Sequence, residues 1–391
     1  MGSYIYRTLS AEILECQRYY QVITITGPRQ VGKTTLCRNL FPDYSYYNLE
    51  DISLRTEIER DPKNFFAQAN RHVIIDEIQT LPSLLSYIMV YVDSDQEWRF
   101  VLTGSCNISL LNTISQSLCG RTAVLTLLPL SLDEVPDYKT HPTDEILFNG
   151  FYPALFDKQI PATKVYANYY TTYVERDIRQ LLKIKDLTAF QTFIRLCAGR
   201  VGAECNLASL SNEVGVSSVT LKEWLSILEA SYIVFRLHPY YTNISKRLVK
   251  TPKLYFYDTG LLCYLLGLQS ADQLASHPLR GGVFENMVVL EMLKYRYNRG
   301  LDSNLFFYRE SHGTEIDIVA QEGNDLRLYE VKSAKTSNPD FYKNIHAVEK
   351  LFGERIASSC VVYDGDISNS AMHSGLCNFR QLNSGSLRSR W

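Results

Sequence analysis

A glycine-rich segment near the N-terminus has the composition of a phosphate-binding loop. It reads GPRQVGKTT and fits the pattern GxxxxGK[ST] in full, between an apolar run and a helical pattern. Glycines let such a loop turn its N–H groups toward phosphates, and the start of the next helix adds positive potential. Lys33 is expected to bridge the β- and γ-phosphates of ATP, and Thr34 to ligate Mg²⁺, unless the segment is only a turn before an ordinary helix. The predicted nucleotide-binding residues of this segment are Gly27, Pro28, Arg29, Gln30, Val31, Gly32, Lys33, Thr34 and Thr35.

Two acidic residues follow a strongly apolar run. Val73–Ile75 predicts a buried strand, and Asp76 and Glu77 come directly after it. Ligands bind at this end of the strands in open α/β sheets. We therefore expect Asp76 to lie beside Mg²⁺ and Glu77 to be the base that polarises the attacking water. The alternative is a buried strand that ends in an acidic turn.

Polar residues also end the next apolar run. Phe100–Thr103 predicts a strand, and Thr103 or Ser105 could hydrogen-bond the γ-phosphate or the attacking water. Arg121 precedes the fifth strand candidate, where an arginine could reach the nucleotide of a neighbouring subunit as a finger. The respective alternatives are a strand followed by a Gly-Ser turn and a surface ion pair.

The C-terminal third contains a second set of residues that could do chemistry. Glu330 and Lys332 alternate on a strand candidate and so share a face, while Asp317 lies on the preceding strand candidate. Glu285 lies on the apolar stripe of a helix candidate, where a carboxylate must be paired or bind a metal ion. Glu285, Asp317 and Glu330 are candidate ligands of Mg²⁺ or Mn²⁺ for phosphodiester hydrolysis, and Lys332 could orient the water. Ordinary salt-bridged strands explain this spacing equally well.

The region between these two sets predicts a nucleic-acid contact. Ala208–Glu229 has the pattern of helix, turn and helix, with Gly215 at the turn, and Ser231–Tyr257 contains basic residues but no Asp or Glu. Together they predict a winged helix, which could instead contact only protein. Tyrosines that interleave with the basic residues could stack on unpaired bases; they are Tyr232, Tyr240, Tyr241 and Tyr255. The candidate phosphate contacts are Lys246, Arg247, Lys250 and Lys253.

The elements that must position these residues alternate in the first third of the chain. Five strand candidates separated by helical patterns predict a parallel sheet covered on both faces. Prolines near residues 135–143 mark a break. Beyond it lie a helical stretch, a long helix candidate and three further strands, so the fold class is α/β. The strand candidates are Val22–Thr26, Tyr44–Asn48, Val73–Ile75, Phe100–Thr103, Ala123–Leu127, Leu305–Tyr308, Glu315–Ala320 and Leu326–Val331.

The composition excludes several classes of protein. The chain has 391 residues, with 40 basic and 42 acidic side chains, so it is not a globally basic nucleic-acid binder. No apolar run approaches the roughly 20 residues that a membrane span needs. The nine cysteines are scattered without CxxC spacing, which favours a reduced cytoplasmic protein without structural zinc. The 27 tyrosines are unusually many, and we expect most of them to serve packing.

The first 144 residues resemble AAA+ ATPases, specifically the bacterial and archaeal group whose phosphate loop reads GPRQVGKTT. The resemblance implies a P-loop sheet of the ASCE type with ATP and Mg²⁺ as cofactors. It also implies a homo-oligomer, such as a hexameric ring, with nucleotide between subunits. Arg121, in SLCGR, matches the finger position of that group.

The C-terminal motifs look like the domain of unknown function that is fused to this ATPase group and is similar to the PD-(D/E)xK nuclease core. The resemblance gives Glu285 the place of the helix carboxylate, Asp317 that of the first strand carboxylate, and Glu330 and Lys332 that of the (D/E)xK pair. The literal proline before Asp317 is missing. The motifs are Gly282–Asn286, Gly313–Asp317 and Tyr329–Lys332.

These resemblances complete the prediction of domains and function. The predicted regions are an ATPase core (1–143), a helical lid (144–200), a winged-helix DNA-binding domain (201–257) and a nuclease-like domain (258–391). The predicted protein hydrolyses ATP, binds DNA that the family architecture suggests is branched or forked, and cleaves it with Mg²⁺ or Mn²⁺. The alternative is a nucleotide switch whose nuclease-like domain binds DNA or a protein partner without cleavage.

Overall fold

The computed structural model describes residues 4–105, 118–178, 184, 186–241, 251–310, 313–369 and 371–382. The chain forms two compact units. The first contains the described chain up to Leu130, together with Ala230–Tyr232 and Arg296–Leu301, and the second contains the other described residues. The domain boundaries predicted at residues 143, 200 and 257 stay predictions.

Five parallel strands form the sheet of the first unit in the order 2-3-4-1-5. The five strand predictions for this part of the chain are confirmed. Because the strands are parallel, the residues that follow β1, β3 and β4 meet at one edge of the sheet. The strands are β1 (Val22–Gly27), β2 (Ser45–Asn48), β3 (His72–Asp76), β4 (Arg99–Ser105) and β5 (Thr122–Thr126).

Helices pack their apolar faces against this sheet. Ile75 of the sheet belongs to one buried cluster with Ile88 and Trp98. The Asp51 carboxylate caps the third helix, where it accepts hydrogen bonds from the first N–H groups. The helices are α1 (Ser10–Cys16), α2 (Lys33–Leu40), α3 (Ile52–Arg60), α4 (Pro62–Gln68) and α5 (Leu84–Ser94).

The second unit begins with a helical region. Its helices are α6 (Thr143–Asn149), α7 (Ala154–Asp157), α8 (Ala162–Tyr169), which continues as a π-helix over Tyr170–Ile178, α9 (Leu187–Ala198), α10 (Leu207–Val214) and α11 (Ser218–Ala230). The predicted turn is present: Gly215 ends α10 at φ 79°, and Ser217 Oγ accepts the N–H of Thr220 at 3.1 Å. Two antiparallel strands follow, β6 (Val234–Leu237) and β7 (Lys253–Phe256). The winged-helix interpretation stays a prediction.

A mixed sheet completes the second unit, in the order 12-11-10-9-8. β9 pairs antiparallel with β8 and β10, whereas β11 pairs parallel with β10 and β12. The three predicted strands and the long helix are confirmed. No helix of the described chain is long and apolar enough to cross a bilayer. The elements are α12 (Thr259–Leu265), α13 (Ala271–Ala275), α14 (Arg280–Tyr297), β8 (Leu305–Arg309), β9 (Glu315–Glu322), β10 (Asp325–Lys332), α15 (Lys343–Phe352), β11 (Ile356–Tyr363) and β12 (Gly375–Asn378).

Buried tyrosines fill the helical region. The ring centroids of Tyr152 and Tyr169 lie 4.9 Å apart, and those of Tyr169 and Tyr173 lie 5.3 Å apart. Tilted and edge-on ring pairs at these distances stabilise a core beyond the area they bury. Packing therefore accounts for the tyrosines of this region.

A buried carboxylate joins two loops of the same region. Asp258 is 1% exposed and precedes α12, where it accepts the Leu261 N–H at 2.9 Å. Its second oxygen accepts the Phe151 N–H at 2.8 Å. Asp258 therefore both caps a helix and satisfies a distant buried backbone group.

Replacing Asp258 with alanine should lower the free energy of unfolding by about 3 kcal/mol, because two buried N–H groups lose their acceptor. Urea unfolding followed by circular dichroism measures the change. Asp272→Ala, at an exposed position of α13, is the control and should change stability by no more than about 0.5 kcal/mol. Equal unfolding midpoints for the two variants would contradict this role of Asp258.

Candidate functional site

The phosphate loop lies between β1 and α2 and has a backbone that demands glycine. Gly27 has φ 143°, and a Cβ at this position would overlap the carbonyl group of Leu127. Arg7, which is 4% exposed, donates one hydrogen bond to the Val31 carbonyl at 2.7 Å and another to the Leu128 carbonyl at 2.6 Å. It thereby ties the loop to the chain that follows β5. Arg7 is not detectable from the sequence motif, because it lies far upstream of it.

Lys33 is folded back onto its own loop. Its side chain is 5% exposed and donates to the carbonyl oxygens of Gly27 and Pro28 at 3.0 and 2.7 Å. Burial lowers the pKa of Lys33, while the carboxylates of Glu77 and Asp76 act in the opposite direction. The ammonium group is thus buried among acceptors that phosphate oxygens could replace.

Asp76 brings together residues from four elements. Its Oδ2 accepts hydrogen bonds from Thr34 Oγ1 and from the Tyr46 hydroxyl, both at 2.7 Å, and its Oδ1 accepts one from Thr103. The two predicted Mg²⁺ ligands, Thr34 and Asp76, are therefore adjacent. Tyr46 lies on β2. The sequence alone does not identify it as a partner of Asp76, because the contact depends on β2 lying beside β3. In the structure, the predicted polar residue Thr103 therefore contacts Asp76.

The predicted base, Glu77, has an unusual backbone conformation for a residue with a side chain. Its φ of 57° and ψ of 47° are left-handed, a conformation that costs free energy and concentrates at functional sites. Its Oε2 accepts hydrogen bonds from Gln79 and from Ser105 Oγ, the latter at 3.0 Å. Ser105 therefore lies beside the predicted base, at the end of β4. Gln79 was missed, although it lies only two residues beyond Glu77.

In the structure, Arg121 forms the surface ion pair that the sequence left open as the alternative to a finger role. Its Nε and Nη2 donate to the two carboxylate oxygens of Asp93 at 2.6 and 2.8 Å, and the side chain is 37% exposed. The pair is a bidentate surface ion pair within the first unit. The finger role concerns a neighbouring subunit and stays a prediction.

The four predicted residues of the C-terminal set converge in the second unit. Lys332 lies 2.9 Å from Glu330 and 3.9 Å from Asp317 Oδ2, which also accepts the Val331 N–H at 2.8 Å. Glu285 reaches the cluster from α14, since it shares a partner lysine with Asp317. One helix and two strands thus place three carboxylates and Lys332 together, as the sequence predicts.

Lys253 is the shared partner, and its predicted role as a surface DNA contact is wrong. Its side chain is 3% exposed and lies 2.6 Å from Glu315, 3.2 Å from Glu285 and 3.9 Å from Asp317. Burial alone would lower the pKa of Lys253, but the three carboxylates raise it above its ordinary value. In this position the ammonium group is buried among three carboxylates and does not reach a DNA phosphate.

This arrangement does not form the metal site predicted from Glu285, Asp317 and Glu330. Within the part of the chain that the structure describes, no three His, Cys, Asp or Glu side chains are placed to hold a metal ion together. Lysine ammonium groups face the carboxylates instead. Burial, reinforced by Asp317, raises the pKa of Glu285 to about 7 and that of Glu330 to about 7.

The other predicted DNA contacts divide into two groups. Lys246, Arg247 and Lys250 lie outside the described residues. Tyr240 is 2% exposed and Tyr255 is fully buried, so these two tyrosines do not stack on bases. Both side chains face the protein interior.

The raised pKa of Glu285 predicts that the stability of the protein depends on pH. The folded protein binds this proton more tightly than the unfolded chain, so unfolding free energy should fall as pH rises from about 4.5 to about 7. The carboxamide of Glu285→Gln does not titrate. The unfolding free energy of this variant, taken relative to that of the wild type, should therefore increase by about 2–3 kcal/mol as pH rises across that range. Urea unfolding at several pH values measures the difference. Glu354→Gln, at an exposed position, should show a constant difference, and a constant difference for Glu285→Gln would contradict the assignment.

Comparison with known domain families supports the AAA prediction for the first unit. Residues 19–136 match the AAA domain, residues 141–272 match a domain of unknown function (DUF8612), and residues 280–377 match another (DUF4143). A protein of Mycobacterium tuberculosis described as uncharacterized is 28% identical to this chain; the match covers 92% of this chain and 80% of that protein. An uncharacterized protein of Haemophilus influenzae is 22% identical, with coverages of 78% and 81%.

Among solved structures, the chain is similar to a Walker-type ATPase of Pyrococcus abyssi, with a TM-score of 0.42 and 15% identity. That match covers 66% of this chain and 94% of the other. The assignment of the first unit therefore depends on the domain match and on the phosphate loop itself. The chain carries an AAA ATPase domain followed by two domains of unknown function.

Proposed function

We propose that the chain hydrolyses ATP with Mg²⁺ at the site formed by residues 27–35, Asp76 and Glu77. The observation that supports this is the 2.7 Å hydrogen bond between Thr34 Oγ1 and Asp76 Oδ2. It places a hydroxyl and a carboxylate oxygen side by side, and Mg²⁺ prefers such hard ligands, so the residues fit the ion. When bound, Mg²⁺ would neutralise the charge that develops on the transferred phosphoryl group.

Residues of the chain itself bind the phosphates and accept the proton. Lys33 exchanges the carbonyl oxygens of Gly27 and Pro28 for phosphate oxygens, which offer it full negative charge. Glu77 accepts a proton from the attacking water. Ser105 and Gln79 hold the Glu77 carboxylate by Oε2, which limits its rotation and leaves Oε1 to face the water.

Glu77→Gln should retain ATP binding but reduce turnover by about 10²–10⁴-fold, because a carboxamide cannot accept the proton. Lys33→Ala should lose ATP binding itself. Phosphate release measures turnover, and a fluorescent ATP analogue measures binding. Glu97→Gln, an exposed substitution in the same unit, is the matched control. Normal turnover in Glu77→Gln would remove Glu77 from its role as base.

Assembly into a homo-oligomer is part of this proposal. The finger role of Arg121 requires a neighbouring subunit, and the side chain lies at the surface of the first unit, where its two bonds to Asp93 can exchange with phosphate. An arginine fork binds carboxylate and phosphate groups in the same bidentate manner. The exposed ion pair is therefore compatible with later use of Arg121 as a finger.

A second candidate function is metal-dependent cleavage of DNA in the C-terminal region. The observation that favours it is the convergence of Glu285, Asp317, Glu330 and Lys332 from three elements. These are the residue types of metal-assisted phosphodiester hydrolysis. The lysine-filled arrangement instead favours the alternative, a nuclease-like domain that binds DNA or a protein partner without cutting.

If the C-terminal cluster cleaves DNA, Glu330→Ala and Lys332→Ala should each abolish cutting while ATP hydrolysis persists, since neither residue belongs to the first unit. The assay offers duplex, single-stranded, forked and four-way DNA with Mg²⁺ or Mn²⁺, with and without ATP. Lys350→Ala, at an exposed position, is the control. Wild-type protein that binds these DNAs but leaves all of them intact would support the non-cleaving alternative.

A further inference from the structure

The middle region of the chain contributes two side chains to the C-terminal cluster. The Lys253 ammonium nitrogen lies 2.6 Å from Glu315 and 3.2 Å from Glu285. Tyr255 follows two residues later on β7, on the same face, and donates to Glu285 Oε1 at 2.5 Å. β7 therefore brings one positive charge and one hydroxyl group to the carboxylates of α14 and β9.

The backbone around Lys253 is anchored on both sides. The Leu254 N–H donates to the Ala203 carbonyl at 3.1 Å, and the Leu254 carbonyl accepts the Gly202 N–H at 2.9 Å. β7 also pairs with β6 over its full length. Because its strand is fixed, the ammonium group is held at the carboxylates at a high effective concentration.

A metal ion bound by Glu285 and Asp317 would need the place that this ammonium group occupies. Mg²⁺ and Ca²⁺ take oxygen ligands at about 2.0–2.6 Å. An ammonium nitrogen 3.2 Å from Glu285 and 3.9 Å from Asp317 would then lie within a few ångströms of the ion, where like charges repel strongly. Lysine and metal ion cannot both be accommodated.

The cluster nevertheless contains more carboxyl groups than cations. Those of Glu285, Glu315, Asp317 and Glu330 face the ammonium groups of Lys253 and Lys332, and Arg309 lies 3.6 Å from Glu315. Among the described residues, Glu330 Oε2 is buried without a hydrogen-bond partner. Buried carboxylate oxygens require a donor or a cation. The residues can therefore accept a further cation once the lysine side chain moves.

We propose that Lys253 is a tethered cation that competes with a divalent metal ion for Glu285 and Asp317, so that metal binds only after the lysine side chain leaves. The proposal rests on the second candidate function solely for the identity of the metal ligands. It concerns metal binding and requires no cleavage. In this arrangement, β7 determines whether the C-terminal cluster is open to metal.

Binding of Mn²⁺ to the nucleotide-free full chain tests the competition. Electron paramagnetic resonance of free Mn²⁺ gives the affinity of the wild type, Lys253→Met, Lys253→Met/Glu285→Gln and the exposed control Lys350→Met. Methionine keeps the apolar stem of lysine without its charge. Lys253→Met should bind Mn²⁺ about tenfold or more tightly than the wild type, because a like charge within about 4 Å is gone. The double variant should lose this gain, and the control should match the wild type.

The outcomes separate this proposal from the function on which it rests. Equal Mn²⁺ affinity in the wild type and Lys253→Met, with binding lost in Lys253→Met/Glu285→Gln, would overturn the competition and leave the metal ligands assigned. Absence of any binding that depends on Glu285 would overturn both.

A measurement on the wild type alone decides the question if Lys253→Met does not fold. Acetylation of lysines by an N-hydroxysuccinimide ester, quantified by peptide mass spectrometry, reports access to each ammonium group. Lys253 should react slowly without metal because it is buried, and several-fold faster with saturating Mn²⁺, whereas exposed Lys350 should react equally in both. Unchanged protection of Lys253 at saturating Mn²⁺ would overturn the proposal.

Discussion

Buried charge is the constraint on which both chemical centres of this chain depend. A carboxylate or ammonium group removed from water is costly unless a partner replaces its hydration. In the first unit, Asp76 finds three hydroxyl groups, of Thr34, Tyr46 and Thr103. In the second, Lys253 lies among three carboxylates. In each case the partners come from separate elements, so the charged group also fixes how those elements pack.

The two buried lysines illustrate opposite uses of this constraint. Lys33 donates to two neutral carbonyl groups, which are weak partners for a full charge, so an anionic phosphate chain improves its environment. Lys253 already has carboxyl partners, and an incoming cation would compete for them. The first site is therefore prepared to accept its ligand. At the second, Lys253 would have to leave before a metal ion could bind to Glu285 and Asp317.

The sequence predicted the elements and the acidic residues well, because both leave local patterns. β-branched runs that end in polar residues gave the five strands of the first sheet and the positions of Asp76 and Glu77. The partners of these residues were missed where they come from distant strands or loops, as with Arg7 and Tyr46. Lys253 was misplaced for a related reason. It follows a run of basic residues, and nothing near it in the chain shows the carboxylates that it meets in the fold.

The position of Lys253 also bears on the boundary between the two domains of unknown function in the second unit. Lys253 lies in the part of the chain that matches one domain of unknown function, whereas Glu285 and Asp317 lie in the part that matches the other. The three side chains form one cluster, so the chemistry of the C-terminal carboxylates cannot be assigned to the last domain alone. A separated C-terminal fragment would lose both Lys253 and Tyr255 and would leave Glu285 without the partners that offset its burial. The two matched regions therefore share one buried cluster of charged side chains.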